Sequence, residues 1–404
     1  MSAKTVRFEK SFTRQESIPE AGMARALEVL ESGRLHRYDL PPDGGPGEVS
    51  RLEREFADYQ GQRYCLACAS GGYALQLALR AVGVRDDEAV LTNAFTLSPV
   101  PGAIAAVGAR PVLIETTADL VIDLDDLAAR AADSGARVLL ISHMRGHVAD
   151  MDAVLGIVRE HDLRLVEDCA HTMGARFGGR ASGSHGHVAC FSTQTYKHLN
   201  SGEGGLLTSD DETIAARAIL LSGSYMLYER HGAAPPAAVF DALRFETPNC
   251  SGRMDELRAA ILRPQLANLD ANAARWNERY RAMRAVLGEA PEIRLPAPHP
   301  RAREVSSSIQ FFAEGLDDAA NERFLAATAE RGVALKWFGR PEPLGYTSRH
   351  DSWRYVRTRP LPRTDALLRR LYDCRIPLTF TVEDCRQVAS IIRDALTCER
   401  SDEP

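Results

Sequence analysis

A chain of 404 residues with 26% charged and 45% hydrophobic side chains, and a formal net charge of −6, has the make-up of an ordinary globular protein, long enough for two domains. The weak negative charge argues against a nucleic-acid-binding surface, and no apolar run approaches the roughly 18 residues of a membrane span. The opening MSAKTVRFEKSFTR lacks the apolar core of a secretory leader, and eight cysteines in so long a chain fit a reducing compartment, so the cytoplasm is the expected location.

In chain order, LEREFADYQ predicts a helix, RYCLACAS a strand and YALQLALRAVG a helix. Cys65 and Cys68 make a C-x-x-C, but no second half follows, so a buried strand explains them better than zinc or redox chemistry. In CASGGYALQLALR a strand ends, Gly71 and Gly72 turn the chain, and a helix opens whose first amides can face an anion. Ser70 adds a hydroxyl. By itself S-G-G before a helix is most often only a turn and a cap.

RVLLIS predicts a further strand, and MDAVLGIVREH a helix with Met151, Val154, Leu155 and Val158 on one face. LRLVED then reads as a short apolar strand ending at Asp168, and open α/β sheets place ligands at the carboxyl ends of their strands. His185 and His187 alternate in GSHGHV without carboxylate or thiolate company, so they are read as loop residues, and no metal is expected. HVACFS is another strand. Lys197 follows in FSTQTYKHLNSGEGG before GEGGLLTS turns back, with Gly202, Gly204 and Gly205 allowing a tight reversal and close backbone approach.

Lys197 and Asp168 together supply what pyridoxal phosphate needs. An amine holds the aldehyde, and an anion keeps the ring nitrogen protonated so that the ring can accept electrons. Neither residue carries that meaning alone, since most lysines are solvated and most strand-end aspartates are caps. The phosphate cradle gains weight only beside them.

Beyond this, ELRAAILRPQLANLDANAARWNERYRAMRAVL predicts a long helix kinked or broken at Pro264. A proline-rich stretch, the strand SSIQFF, the helix NERFLAATAERG, the loop-rich KWFGRPEPLGYTSRHDSW and a helix starting near Val382 complete the chain. The alternation of strands and helices indicates an α/β fold with a mostly parallel central sheet flanked by helices, and a smaller C-terminal α+β domain. The expected division is 1–260, a large cofactor-binding domain with an N-terminal arm, and 261–404.

These segments resemble the DegT/DnrJ/EryC1/StrS family of pyridoxal-phosphate-dependent sugar aminotransferases. The likeness runs from SGRLHRY and REFADYQGQRYCLACASGG through SHMRGHVADMDAV and the block VEDCAHTMGARFGGRASGSHGHVACFSTQTYKHLNSGEGGLLTSDD to GRMDELRAAILRPQL and IPLTFTVED. It implies fold type I, as in aspartate aminotransferase, a homodimer with sites near the subunit interface, and a covalent link between Lys197 and the cofactor. It further implies that Asp168 binds the pyridine nitrogen, that His171 lies beside the ring, and that Ser192, Ser70 and Gly71 hold the phosphate. Gly72 stands in the same cradle where the family commonly has threonine. The family's stacking aromatic falls near Leu97, with Phe95 as the expected substitute. Ser251-Gly252-Arg253-Met254 replaces an asparagine-tyrosine-arginine-methionine pattern, which puts one contact from the neighbouring subunit in doubt.

The resemblance implies transfer of an amino group from glutamate or glutamine to a keto-sugar, cyclitol or related carbonyl acceptor in secondary-metabolite or sugar biosynthesis. Arg145 stands where the family usually has an aromatic. If Arg145, Arg253 or Arg340 faces the cofactor, a substrate carboxylate or phosphate is expected. The alternative reading is therefore elimination, replacement or cyclisation on an amino acid. A third, a catalytically silent binding protein, is disfavoured by the presence of both Lys197 and Asp168.

Overall fold

The computed structural model describes residues 7–224, 226–345 and 349–401. Part of the opening segment and Tyr346, Thr347 and Ser348 of the late loop thus lie outside the described residues.

Seven strands form the central sheet: β1 (Tyr64–Cys68), β2 (Ala89–Asn93), β3 (Arg110–Ile114), β4 (Val138–Ser142), β5 (Arg164–Asp168), β8 (Val188–Ser192) and β9 (Gly205–Ser209). Their spatial order is β1-β9-β8-β5-β4-β2-β3. Pairing from β8 through β5, β4 and β2 to β3 is parallel, while β9 runs against both β1 and β8. Every residue of β1, β2, β4, β8 and β9 is buried. That explains why these strands read as unbroken apolar runs instead of alternating ones: helices cover both faces of the sheet. Between β5 and β8, β6 (Arg176–Phe177) and β7 (Arg180–Ala181) form a small antiparallel patch, and β11 (Ala302–Arg303) pairs onto β6.

A second sheet, wholly antiparallel, has the order β10 (Ile293–Arg294), β12 (Ser308–Ala313), β14 (Leu371–Arg375), β13 (Lys336–Trp337). Its core joins the helices Leu269–Leu287, Asp318–Glu330 and Val382–Ser401. Phe8 and Phe12, from the N-terminal arm, pack into this second core against Phe380, and the Phe8 N–H donates to the Arg331 carbonyl at 2.8 Å. The arm then runs on toward the functional cavity.

One expected break falls elsewhere. The helix Glu256–Ala267 continues through Pro264, and the interruption comes at Asn268 (φ −100°, ψ 3°), whose side-chain amide donates to the Pro264 carbonyl at 3.1 Å. No helix of the described residues is long and apolar enough to cross a membrane.

Candidate active site

Two cavities meet at Lys197, one of about 380 Å³ and one of about 440 Å³. The smaller lies at the carboxyl ends of β4, β5 and β8 and at the start of the helix Gly71–Ala81. Asp168, the last residue of β5, is fixed from two sides: Ser142 Oγ donates to its Oδ2 at 2.8 Å and Ala170 N–H to its Oδ1 at 3.1 Å. Thr96 Oγ1 donates in turn to Ser142 Oγ at 2.8 Å, so the carboxylate is held by a chain of hydroxyls.

Opposite stands the phosphate-sized corner. Ser70 caps the helix, accepting the Tyr73 N–H at 3.1 Å, and Ser192 Oγ accepts the Gln194 N–H at 3.3 Å. Each hydroxyl therefore keeps its own proton to donate to an anion. Glycine is demanded at two positions: a Cβ on Gly71 would lie 2.6 Å from Ser192 Cβ, and one on Gly205 would run into the Ser70 carbonyl. At Gly72 the space is open, the nearest atom to an added Cβ being Pro99 Cβ at 3.9 Å.

Gly252 is the reverse case, since any side chain there would collide with the Tyr73 ring. Tyr73 occupies the room that a side chain at position 252 would need.

Lys197 sits where the cavities join, its Nζ against His171 Nε2. The Arg145 N–H donates to His171 Nδ1 at 2.9 Å, so the neutral ring carries its proton on Nε2 and presents it to the lysine amine. Burial, with the charges of Lys197 and Arg145 adding, holds the His171 pKa well below its ordinary value. Burial also draws the Lys197 pKa down to about 7; Arg145 and Arg375 push the same way and Asp168 opposes them. The amine is thus substantially neutral, hence nucleophilic, near neutral pH.

The larger cavity holds Arg145, Arg375, Gln194, Tyr196, His198, Asn268, Asn272 and Trp276, closed on one side by the arm residues Phe12–Pro19. Arg145, at φ 58°, pairs with Asp373 at 2.7 Å. The Arg375 guanidinium lies over the Tyr196 ring, 4.1 Å from its centroid.

Of the residues singled out from the sequence, Lys197, Asp168, His171, Ser192, Ser70, Gly71 and Gly72 come together around the smaller cavity, and Arg145 lines the larger. Phe95 does not belong there. It is fully buried edge-on to Phe338, 5.2 Å between centroids, in the core joining the two sheets, and Leu97 lines the cavity instead. Arg253 and Arg340 line neither cavity: Arg253 Nη1 donates to the Gly223 carbonyl at 3.0 Å, and Arg340 pairs with Glu322 at 2.7 Å near the surface. Sequence reading missed Arg375, His198 and the Ser142–Thr96 support of Asp168. Only His198, next to Lys197, carried a signal.

His143, Glu167 and Cys169 bring potential ligand atoms within 4.8 Å of one another. Glu167 is already occupied, accepting N–H groups from Gly183, His185 and Gly186 at 3.1, 2.8 and 2.6 Å and lying 3.2 Å from His143 Nε2. Burial pushes the Cys169 thiol pKa well up. Cys65 and Cys68 are buried in β1.

A buried carboxylate facing a neutral amine across a cavity, with two hydroxyls and helix-start amides at its far corner, fits a phosphate-bearing pyridine aldehyde. Fold and site together define a pyridoxal-phosphate-dependent enzyme of fold type I. The chain belongs to the DegT/DnrJ/EryC1/StrS aminotransferase family, whose pattern matches residues 18–393. It is 34% identical over 324 residues to the L-glutamine:scyllo-inosose aminotransferase of Streptomyces griseus, covering 78% of this chain and 74% of that one. To the dTDP-3-amino-3,4,6-trideoxy-alpha-D-glucose transaminase of Streptomyces venezuelae it is 35% identical over 288 residues, 70% of this chain and 68% of that. Among solved structures, 3-amino-5-hydroxybenzoic acid synthase superimposes with a TM-score of 0.81 at 28% identity, covering 96% of this chain and 99% of the other.

Proposed function

We propose that this aminotransferase moves an amino group from L-glutamine or L-glutamate to a ketone on a sugar or cyclitol ring, in a biosynthetic pathway. The observation that carries the reading is the position of Lys197, whose amine is shared by the cavity of Asp168 and the cavity of Arg375. The relatives with inosose and sugar acceptors support the substrate class.

When bound, pyridoxal phosphate supplies an aldehyde to link amines and a cationic ring to take up electrons. Asp168, held by Ser142 and Ala170, would pair with the ring nitrogen and keep it charged. Ser70, Ser192 and the first amides of the helix Gly71–Ala81 would hold the phosphate. Lys197 would hold the cofactor aldehyde through its Nζ, and the same amine, when free, would carry the proton at the substrate Cα. His171, neutral and donating from Nε2, orients that amine. Arg375 offers a guanidinium to the donor carboxylate.

In this reading residues 1–260 hold the cofactor and 261–404 supply the opposite wall of the substrate cavity. Two copies pair, and the apolar stripe Met23, Leu27 and Leu30 on the helix Glu20–Ser32, 51–55% exposed, supports such pairing. Eight unpaired cysteines support a cytoplasmic location.

The test is spectroscopic. Adding L-glutamine to the holoenzyme should convert the cofactor to its amine form and a polyhydroxylated ketone should restore it, while borohydride should tag Lys197. A tag on another lysine, or a cofactor unchanged by either donor, would overturn the reading.

A further inference from the structure

Arg145 stands in a place that suits arginine badly. Its backbone lies at φ 58°, the left-handed region where a Cβ crowds the following carbonyl and glycine is the natural occupant. The side chain offsets this by reaching across to the second sheet, where it pairs with Asp373 of β14 at 2.7 Å, the two side chains only 10% and 3% exposed. Asp373 is itself fixed. Gln310 Nε2 of β12 donates to its other oxygen at 2.6 Å, and His147 Nε2, from the same turn as Arg145, donates to Gln310 Oε1 at 2.8 Å. The second sheet thus grips the turn at two points. On its opposite side the turn meets His171, so closely that a Cβ added to Gly146 would lie 3.3 Å from the His171 carbonyl.

The backbone held in this way decides where His171 keeps its proton. The Arg145 N–H donates to His171 Nδ1 at 2.9 Å, which leaves the ring proton on Nε2, against Lys197 Nζ. An N–H aimed at the lysine nitrogen is met only by a lone pair, so the contact favours the neutral amine over the ammonium. Were the turn to relax into right-handed backbone, the Arg145 N–H would leave Nδ1, the ring proton would be free to move there, and Nε2 would accept from an ammonium instead. Charges also act on the amine: Arg145 and Arg375 favour the neutral form and Asp168 opposes them, while His171 in turn feels Lys197, Arg145, His198 and His147. A charge acts whatever the backbone does, whereas the His171 contact needs the turn.

Resting on Lys197 as the amine that takes the cofactor, we propose that Arg145 is a positioning residue: docked on Asp373, it holds the left-handed turn whose N–H fixes the His171 proton toward Lys197, so that contact with the second sheet keeps the lysine amine neutral and nucleophilic.

Glycine and alanine at 145 separate backbone from charge, since both remove the guanidinium but only glycine adopts a positive φ without strain. Apoenzymes of wild type, Arg145→Gly, Arg145→Ala and Asp373→Asn are mixed with pyridoxal phosphate, and the rate at which the lysine-linked chromophore forms is followed against pH. Arg145→Ala should move the midpoint of that profile upward by about one pH unit relative to Arg145→Gly, a roughly tenfold slower reaction near pH 7. Asp373→Asn leaves either Arg145 or Gln310 facing an amide N–H, so the turn loosens and the midpoint should rise above wild type. Loss of an anion acting only through charge would lower it, so the direction identifies the route through the turn. Circular dichroism checks the fold of each variant, and Asp373→Asn decides alone should the alanine variant not fold. Equal midpoints for glycine and alanine, or a midpoint in Asp373→Asn that falls or stays, would overturn the proposal. A wild type that forms no chromophore, or whose borohydride tag lies on another lysine, would overturn it together with the Lys197 reading beneath it.

Discussion

The two cavities at Lys197 are built in opposite ways. The smaller takes its walls from consecutive strand ends and the turns that follow them, so Ser70 to Gly72, Asp168 to His171 and Ser192 to Lys197 each arrive as a short run. The larger draws together parts far apart in the chain: the arm at 12–19, Arg145, the segment 194–200, the helix region 265–276 and the end of β14 with the residues after it, 375–378. Glycines pressed against backbone or Cβ atoms make the first rigid, while amides, guanidinium groups and rings line the second. The part that grips a constant cofactor is specified by local chain geometry, and the part that meets a variable substrate by tertiary assembly.

Replacing the residue both regions share should have the largest effect. Lys197→Ala should lower single-turnover amino transfer from L-glutamine by about 10⁴-fold or more, since it removes the anchor and the proton carrier together. Transfer at the wild-type rate would break the claim that the cavities meet functionally at this amine. Gly71→Ala tests the rigidity of the smaller cavity. With the new Cβ only 2.6 Å from Ser192 Cβ, the cradle must open, at about 1–3 kcal/mol, and cofactor affinity measured by equilibrium dialysis should fall accordingly.

The pH dependence of the apoenzyme probes the junction itself. The unfolded lysine keeps its proton up to the usual 10.5, whereas the buried one releases it near 7. Between those values the unfolded state binds more protons, so stability rises with pH, by at most about 1.4 kcal/mol per pH unit. Thermal melts of the apoenzyme from pH 7 to 9 should show this rise and Lys197→Met should flatten it; equal slopes would place the titration elsewhere. The smallest effect is a gain. Gly72→Thr has room for its Cβ, relieves a glycine in a helical turn and adds a hydroxyl to the cradle, so cofactor affinity should improve by a few-fold, about 0.5–1 kcal/mol.

The same contrast explains what could be read in advance. Asp168 and Lys197 were legible because apolar strands with defined ends fix where the next residues go, and the parallel order of the sheet follows from strands alternating with helices. Phe95 was misplaced because a residue just past a strand end can face either way, and the core joining the two sheets claimed it. Arg340 was claimed by Glu322, a partner 18 residues away that no motif announces. Arg375 was silent for the converse reason: its place depends on β14 pairing with β12 and β13, a long-range matter. Where Pro264 sits, the helix tolerates the missing N–H and breaks at Asn268 instead.

Tyr73 and Gly252 are locked together as bulk and void. A tyrosine placed at 252 alone would drive into the Tyr73 ring, and trimming Tyr73 alone would leave a hole, so the two positions should tolerate exchange only as a pair.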